Sequence, residues 1–404
     1  MKASAGRRVL MLVENNPYPQ DARVRQEATS LCNAGYEVTV IAPSSGEQPW
    51  QDIVDGVRAY RYPPPPEGDG LLGYLAEYGY SMVASLVLAL YVFIRRGFDV
   101  IHVHNPPDTY FMIGGLFRLL GRTFVFDHHD LSPDMYLARF GDDANRAVFH
   151  VLRWMQRVVL RTANHVIATN DSYARVSTDE AGVPAHSVTV VRNGPDLRRV
   201  RRVPADESLR GDAAILIGYV GLMNDQDGLD YLLRALCHLR AARSDFMCVL
   251  VGRGDSLKKL RREADRLGLA DHVRFTGRIP DHELMTILST VDICVDPDPS
   301  NTFNDRSTMI KMTEYMALGK PIVAFDLPEH RVTAGDAALY AKPNDEADFA
   351  RCIAALMDDP ALRGRMGTVG RQRIVSDFSW HQQEQRLLDL YGRLAGAASP
   401  NGPT

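Results

Sequence analysis

The sequence predicts an α/β protein of two domains, each a parallel β-sheet covered by helices on both faces. Three observations lead there. Short Val- and Ile-rich runs alternate with longer periodic segments, the alternation stops at a polar stretch and restarts, and 404 residues exceed what one core usually supports. Runs this short and apolar suit strands buried on both faces.

The first series holds the strands RRVLMLV, EVTVIA, FDVIHVH, RTFVF, HVIAT and SVTVV, with a helix over Asp21 to Ala34. The stretch RNGPDLRRVRRVPADESLRGD then reads as an exposed, charged connector. A second series starts at Ala214 with AILIGYVG, FMCVLVG, VRFTG, DICVDP and PIVAF. Its helices are expected over Gly228 to Ala241, Ser256 to Leu267, Asp281 to Ser289 and Ser307 to Leu318. After a short strand at Ala338 to Ala341 come helices from Glu346 to Leu356, Pro360 to Ser376 and Trp380 to Leu394. The expected domains are residues 1–197 and 213–379, with 198–212 as linker and a final helix over about 380–396 crossing back. Ligands of open parallel sheets bind beyond the carboxyl ends of the strands, so two facing sheets would hold a substrate in a cleft.

Apolar residues at 45% and charged residues at 24% exclude a disordered or fibrous chain. With 46 basic and 50 acidic residues, the net charge of -4 gives no reason to expect a nucleic-acid partner. Five scattered cysteines, without metal-ligand spacing, read as free thiols in a reducing cytoplasm. Val9 to Val13, after Arg7 and Arg8, is too short for a signal-peptide core. The apolar stretch Ser81 to Ile94 falls short of the ~20 residues of a membrane span and ends in Arg95 and Arg96. It reads either as a buried amphipathic helix or as a helix lying in a membrane surface.

The segment NDRSTMIKMTEYMALGKPIVAF joins a polar turn, a helix and a buried strand. Lys311 and Glu314 share a helix face, with Ser307 and Thr308 at its start. Free amides and the dipole at such a start suit a diphosphate; Lys311 would add a point charge, and Glu314 would accept two hydrogen bonds from a ribose diol. The competing reading is an ion pair on a solvated face.

The run ST-x-x-K-x-x-EYMALGKPIV resembles the donor-binding signature of retaining GT-B glycosyltransferases of family 4, in the branch making bacterial surface polysaccharides. DARVRQEATSLCNAGYEVTVIAP, FDVIHVHNPPDT and FVFDHHDLSPDMY resemble its N-domain motifs, so the likeness covers nearly the whole chain. It implies two facing Rossmann-like domains and a deep cleft. It also implies that Glu314 binds the donor ribose and that amides at the helix start hold the diphosphate.

Two positions depart from the family. Where a second glutamate contacts the transferred sugar, this chain has Arg306, and the adjacent Asn304 and Asp305 are the candidates to replace it at the sugar. Where the family places a phosphate-binding arginine and lysine, in YVGLMNDQDG after Gly221, stand Leu222 and Asp227. The missing positive charge is expected from Arg306 and Lys311. The family's VGxG turn corresponds to Gly252 with Arg253 and Lys258 nearby, and TGRIP, with Arg278 and Ile279, to the turn that reads the base.

In the N-domain, His129 corresponds to a family histidine beside the transferred sugar, and Asp130 follows it. Metal binding by the HHD run is disfavoured because no third ligand is evident. His102 and His104 face one side of their strand and read as a core pair, although His104 and Asn105 close the strand where an acceptor would lie. The loop ENNPYPQDARVRQE lacks a dinucleotide fingerprint; Asn16 and Arg23 resemble acceptor-side residues, and Asp21 alternatively caps a helix. The DPD at Asp296 to Asp298 imitates a metal-binding motif of another fold. Arg146, His150, Arg153, Arg157 and Arg161 recur at helical spacing beside Trp154, as a solvated face or a contact for lipid headgroups.

The resemblance implies transfer of a hexosyl unit, with retention, from a UDP- or GDP-linked sugar to a glycan, lipid-linked or small-molecule hydroxyl. Domain closure over the donor would exclude water. No cofactor and no divalent metal are expected, and the enzyme would act in the cytoplasm, peripherally on the inner face of the plasma membrane. The rivals are a sugar-nucleotide 2-epimerase of the same architecture and a non-catalytic GT-B subunit.

Overall fold

The computed structural model describes residues 7–46, 48–65 and 70–397. The chain divides into two compact units, Met1–Arg192 with Gln383–Thr404, and Asn193–Gln382.

The first unit runs β1 (Arg8–Leu12), α1 (Ala22–Asn33), β2 (Glu37–Pro43), β3 (Gln51–Val54), β4 (Val57–Tyr62), α2 (Gly70–Arg95) and β5 (Val100–His104). It continues with α3 (Phe111–Leu119), β6 (Thr123–His128), α4 (Ser132–Phe140), α5 (Arg146–Thr162), β7 (His165–Ala168), α6 (Asp171–Arg175) and β8 (Val188–Val190). The sheet order is β3-β4-β2-β1-β5-β6-β7-β8, parallel except for the antiparallel pair β3–β4. That hairpin is absent from the sequence reading. Its signal is Asp55-Gly56, which turns with φ of 52° and 82°, the mirror-image geometry that matches strand twist. Asp21 caps α1 by accepting from Val24 N at 2.9 Å, as its alternative reading expected.

The second unit runs β9 (Ile215–Val220), α7 (Leu229–Ala242), β10 (Phe246–Val251), α8 (Leu257–Arg266), β11 (Val273–Gly277), α9 (Asp281–Thr290) and β12 (Ile293–Asp296). Then come α10 (Ile310–Ala317), β13 (Ile322–Phe325), α11 (Pro328–Ala334), β14 (Ala338–Ala341), α12 (Glu346–Asp358) and α13 (Pro360–Arg373). Its sheet is wholly parallel, ordered β11-β10-β9-β12-β13-β14. Alternate residues of β9 enter opposite cores: Ile215, Ile217 and Tyr219 one, Leu216 the other, as a strand covered on both faces requires.

The last helix, α14 (Trp380–Ala397), passes into the first unit from Gln383 onward. There Tyr391 Oη lies 2.9 Å from His102 Nδ1, and Gln383 Oε1 accepts from Arg192 N at 3.0 Å.

The segment expected to be an exposed connector is instead a strap on the second unit. Val200 is buried in that unit's core, and Leu197, Val203 and Leu209 pack against it. Val203 N and Asp206 N donate to the hydroxyls of Ser289 and Thr290, and Arg210 pairs with Asp292. Its arginines suggested solvent, but apolar residues at every third position between them hold it down.

Candidate active site

In a doubly wound sheet, the crevice opens where the chain leaves the first strand to one side and returns on the other. In the second unit that point lies between β9 and β12, so the loops after Val220 and after Asp296 frame the site. In the first unit it lies between β1 and β5.

The second unit's loops are held by buried side chains. Val220 N donates to Tyr315 Oη at 2.9 Å, tying the end of β9 to α10. Asn304 is 1% exposed, and its amide donates to the carbonyls of Gln226 (3.0 Å) and Pro299 (2.8 Å). It therefore braces the two loops and is withdrawn from the sugar contact expected of it. Gly252 has φ of 142°, and a Cβ there would lie 1.8 Å from Gly221 O, so the two glycines let neighbouring loops touch.

Helix α10 begins at Ile310, three residues later than predicted, because Ser307 and Thr308 belong to the preceding loop. Ser307 Oγ donates back to Phe303 O at 2.8 Å, closing the single turn Asn304–Arg306, and Thr308 Oγ1 donates to Glu329 at 3.4 Å. The helix cap, Met309, makes no side-chain capping bond, and no acidic residue occupies the first turn. Its far end closes at Gly319 (φ 63°), where Lys320 N donates to Tyr315 O and Gly319 N to Met316 O.

Lys311 and Glu314 do not pair with each other. Lys311 Nζ lies 2.9 and 2.8 Å from the two oxygens of Asp298, 3.2 Å from Asp296, and over the Tyr219 ring at 5.2 Å. Burial alone would push this amine down, but Asp296 and Asp298 outweigh it and hold it well above the ordinary lysine value. Burial, then Asp296, push Asp298 up, and burial raises Asp227 beside the same ammonium. Lys311 is thus an internal counter-ion, which corrects the expectation of an open phosphate-binding charge. The carboxylate at Asp227, where the family has a cation, explains part of the demand for it.

Glu314 is 11% exposed, and Arg199 of the strap donates to it at 2.6 Å while also pairing with Asp281. Burial raises the Glu314 carboxyl and Arg199 opposes the rise. Sequence reasoning missed Arg199 because the strap looked like a linker.

The other donor-side residues sit on the predicted strand-to-helix turns. Arg253 and Lys258 are exposed after β10, Arg278 is exposed after β11, and Ile279 is half-buried against the core. Asp305 accepts from Ser300 Oγ at 3.2 Å, and Arg306 is half-buried. Leu222 is exposed.

In the first unit, Arg23 is buried, not presented to an acceptor. Its guanidinium meets Asp127 at 2.8 Å and Glu27 at 3.1 Å, and donates to Val191 O at 3.1 Å. His102 and His104 are fully buried and stacked at 4.4 Å, the core pair anticipated. Burial lowers His102 to about 4 and takes His104 well down, so both are neutral. Asn105 is also buried: its Oδ1 accepts from His129 N (2.8 Å) and Asp130 N (3.1 Å), and its Nδ2 donates to Asp130 O (2.7 Å). His104 and Asn105 therefore shape the turn from beneath and have no reach to an acceptor.

His129 stands on that turn, 11% exposed, with Nδ1 3.5 Å from Asp127. Burial would lower this imidazole, but the Asp127 carboxylate raises it. Asp130, half-buried beside it, is raised to about 6 by burial. His128 points the other way, toward Gln156 and Ser177. Asn16 is exposed and donates to Asp21 at 3.2 Å.

Among the described residues, two buried groups bring donor atoms close enough for a metal: Glu27, His102, His104 and Asp127, and Asp296, Asp298 and His330. In each, a side-chain cation already lies against the carboxylates, Arg23 in the first and Lys311 in the second.

Two family models match the chain. "Glycosyl transferase 4-like domain" covers residues 20–194, and "Glycosyl transferases group 1" covers residues 214–359. The 2-deoxystreptamine glucosyltransferase of Streptomyces kanamyceticus is 24% identical over 84% of this chain and 89% of its own. The phosphatidyl-myo-inositol mannosyltransferase of Mycobacterium leprae is 25% identical over 94% of each. Among solved structures, sucrose-phosphate synthase from Thermosynechococcus elongatus matches with a TM-score of 0.78 at 19% identity, covering 97% of this chain and all of that one. Anabaena HepE, solved with UDP and glucose, matches with a TM-score of 0.73 at 18% identity, covering 96% of this chain and all of that one. Two parallel-sheet units, switch-point loops in each and both models in register with them show that the chain belongs to the family 4-like, group 1 glycosyltransferases of GT-B fold.

Proposed function

We propose that this glycosyltransferase moves a hexosyl unit, with retention, from a UDP- or GDP-linked sugar to a hydroxyl of a glycan, lipid-linked or small-molecule acceptor. The observation that carries the donor reading is the start of α10. It is a helix end at the switch point, with no side-chain cap and no acidic first turn, followed one turn later by the buried carboxylate of Glu314. Such an end presents amides and a positive dipole to a diphosphate, and a carboxylate there accepts both hydroxyls of a ribose. Arg306, Arg253 and Lys258 supply the remaining counter-charge in this reading, and Lys311 fixes the first turn of α10 to the end of β12. Solved HepE structures with UDP and with UDP-glucose support a donor of this class.

The chemistry asks little covalent work of the protein. The departing phosphate accepts the acceptor proton, and the enzyme positions the groups and stabilises charge. His129, whose imidazole Asp127 shifts toward the protonated form, donates to a sugar hydroxyl, and Asp130 stands beside it. No cofactor or divalent ion enters the reaction, which takes place in the cytoplasm, on the inner face of the plasma membrane. A panel of nucleotide sugars screened by thermal shift, followed by transfer assays on the stabilising donor, tests the reading. Glu314→Gln is expected to lower kcat/KM for that donor by roughly tenfold to a hundredfold, the loss of hydrogen bonds to a charged group. Initial rates are expected to be the same with and without added Mg²⁺. Epimerisation of donor in the absence of acceptor would establish the 2-epimerase instead, and donor binding without transfer to any acceptor would establish a non-catalytic subunit.

A further inference from the structure

Helix α2 is apolar on both sides, and the fold uses only one. Ser81, Ser85, Ala89 and Val92 recur at helical spacing and are fully buried. Ser81 Oγ donates to Glu14 at 3.0 Å, and Ser85 Oγ lies 2.8 Å from Tyr110 Oη. The opposite side carries Val83, Val87, Leu90 and Ile94, exposed by 59%, 57%, 37% and 80%. A helix on the outside of a soluble domain normally turns polar residues outward. By length and composition Ala76–Arg95 would cross a bilayer, but its serine stripe is bonded to the unit's own core, so it does not span.

Helix α3 extends the same patch. Met112, Leu116 and Leu119 are exposed, Leu119 by 88%, and a groove of about 140 Å³ between the two helices is lined entirely by apolar side chains of both, including Met82, Leu86 and Leu116. A contiguous apolar surface of this kind marks an interaction site. Its charge indicates the partner. Arg95 and Arg96 end α2, Arg118 lies in the last turn of α3, and Arg122 follows it. These ends are neighbours, since Phe93 and Phe117 meet at 5.4 Å and Arg122 lies 3.8 Å from Asp99. No Asp or Glu occurs from Tyr78 to Phe98 or from Thr109 to Phe126. Apolar residues flanked by Arg95, Arg96, Arg118 and Arg122, which outnumber the neighbouring Asp99, complement an anionic interface.

We propose that the α2–α3 face rests on the surface of an anionic lipid bilayer, with Val87, Ile94 and Leu119 entering the acyl boundary and Arg95, Arg96 and Arg118 at the level of the phosphates. The sequence offered a second candidate in the arginine face of α5. There Arg153 pairs with Glu180 and Arg161 donates to Ala181 O, much as Arg118 of α3 donates to Thr162 O, so the apolar groove and the exposed apolar side of α2 distinguish the α2–α3 face, not a greater number of unengaged charges. The inference stands apart from the donor reading.

The test is flotation of the purified full chain with vesicles of phosphatidylcholine alone and of phosphatidylcholine with phosphatidylglycerol. Binding is expected to the anionic vesicles and to weaken with salt. It should fall at least about tenfold in Arg95→Glu/Arg96→Glu, which reverses two interfacial charges, and in Val87→Glu/Ile94→Glu/Leu119→Glu. All five positions are exposed, so thermal unfolding within a few degrees of the parent verifies that each variant is folded, and the charge-reversal pair stands as the independent arm. No binding of the parent chain to anionic vesicles would overturn the proposal, as would undiminished binding of both variants. So would a parent dimer that becomes monomeric in the triple variant and binds no vesicle, which would make this face a contact between copies.

Discussion

Replacing Lys311 by methionine keeps the length of the side chain and removes one positive charge from the interior of the second unit. In the parent, that ammonium touches both oxygens of Asp298 at 2.8–2.9 Å and Asp296 at 3.2 Å. Both carboxylates are essentially without solvent contact. Breaking a buried pair from one side leaves the other charge uncompensated, at a cost of about 3–5 kcal/mol. For a unit of this size each kcal/mol lowers Tm by about 2–4 °C, so the expected fall is roughly 6–20 °C. Differential scanning calorimetry of the full chain measures it, with hydrogen exchange over α10 and β12 assigning the transition. The cost should shrink on acidification. Without the ammonium, the Asp298 carboxyl rises further above its unfolded value, so the folded variant binds a proton that the unfolded chain does not, and its stability falls as pH increases through that window. Adding Asp298→Asn should restore at least half of the lost Tm. A fall of less than about 2 °C in the single variant, or a penalty that does not change between pH 5 and pH 8, would refute the internal counter-ion.

Arg199→Ala should make donor binding more dependent on pH. Burial raises the Glu314 carboxyl and Arg199 opposes it, so without Arg199 the ionised form is lost at higher pH than in the parent and the donor KM begins to climb at higher pH as the solution is acidified; parallel profiles for variant and parent would count against the pairing. Gly252→Ala places a Cβ 1.8 Å from Gly221 O and should destabilise the second unit by at least about 2 kcal/mol, read from urea unfolding. Glu14 is raised to about 7, chiefly by burial, so its ionisation disfavours the folded state progressively from the unfolded value near 4.5 up to about 7 and by a constant amount above. Glu14→Gln should therefore be more stable than the parent by roughly 1–3 kcal/mol at pH 8, with the advantage vanishing toward pH 4.5; an equal advantage at both ends would show that ionisation is not the cause.

The strand-and-helix order of the second unit was legible because β9, β10, β12 and β13 are short apolar runs containing Val or Ile, and periodicity fixes such elements locally. Asp55-Gly56 carried the hairpin signal that was passed over. The strap was misread because its arginines dominate its composition, although Leu197, Val200 and Val203, spaced three apart, all pack on the core. The ion pairs of the site were not legible. Lys311 finds its partner 13 residues away across a loop, and Arg23 meets an aspartate 104 residues away. Nothing in periodicity reports such meetings, and a charged residue is expected at the surface unless it is paired. Asn105 and Asn304 looked like ligands for the same reason: polar residues at strand ends resemble binding residues until the backbone that claims them is in place.

The same device recurs in both units. A buried cation faces buried carboxylates close to the carboxyl ends of the strands, and a buried asparagine locks the adjoining turn: Arg23 with Asn105 in one, Lys311 with Asn304 in the other. A buried ion pair contributes little net stability against an apolar substitute of the same shape, but it defines one geometry, because any displaced arrangement strands a charge in low dielectric. Loops fixed in this way hold the α10 amides and Glu314 in one unit, and the His129 turn in the other, before any ligand arrives, which is the form of preorganisation that the proposed stabilisation of a departing diphosphate would require. Substitution of a buried brace should therefore act through stability and geometry together, whereas substitution of exposed Arg253 or Lys258 should change donor affinity and leave unfolding where it was.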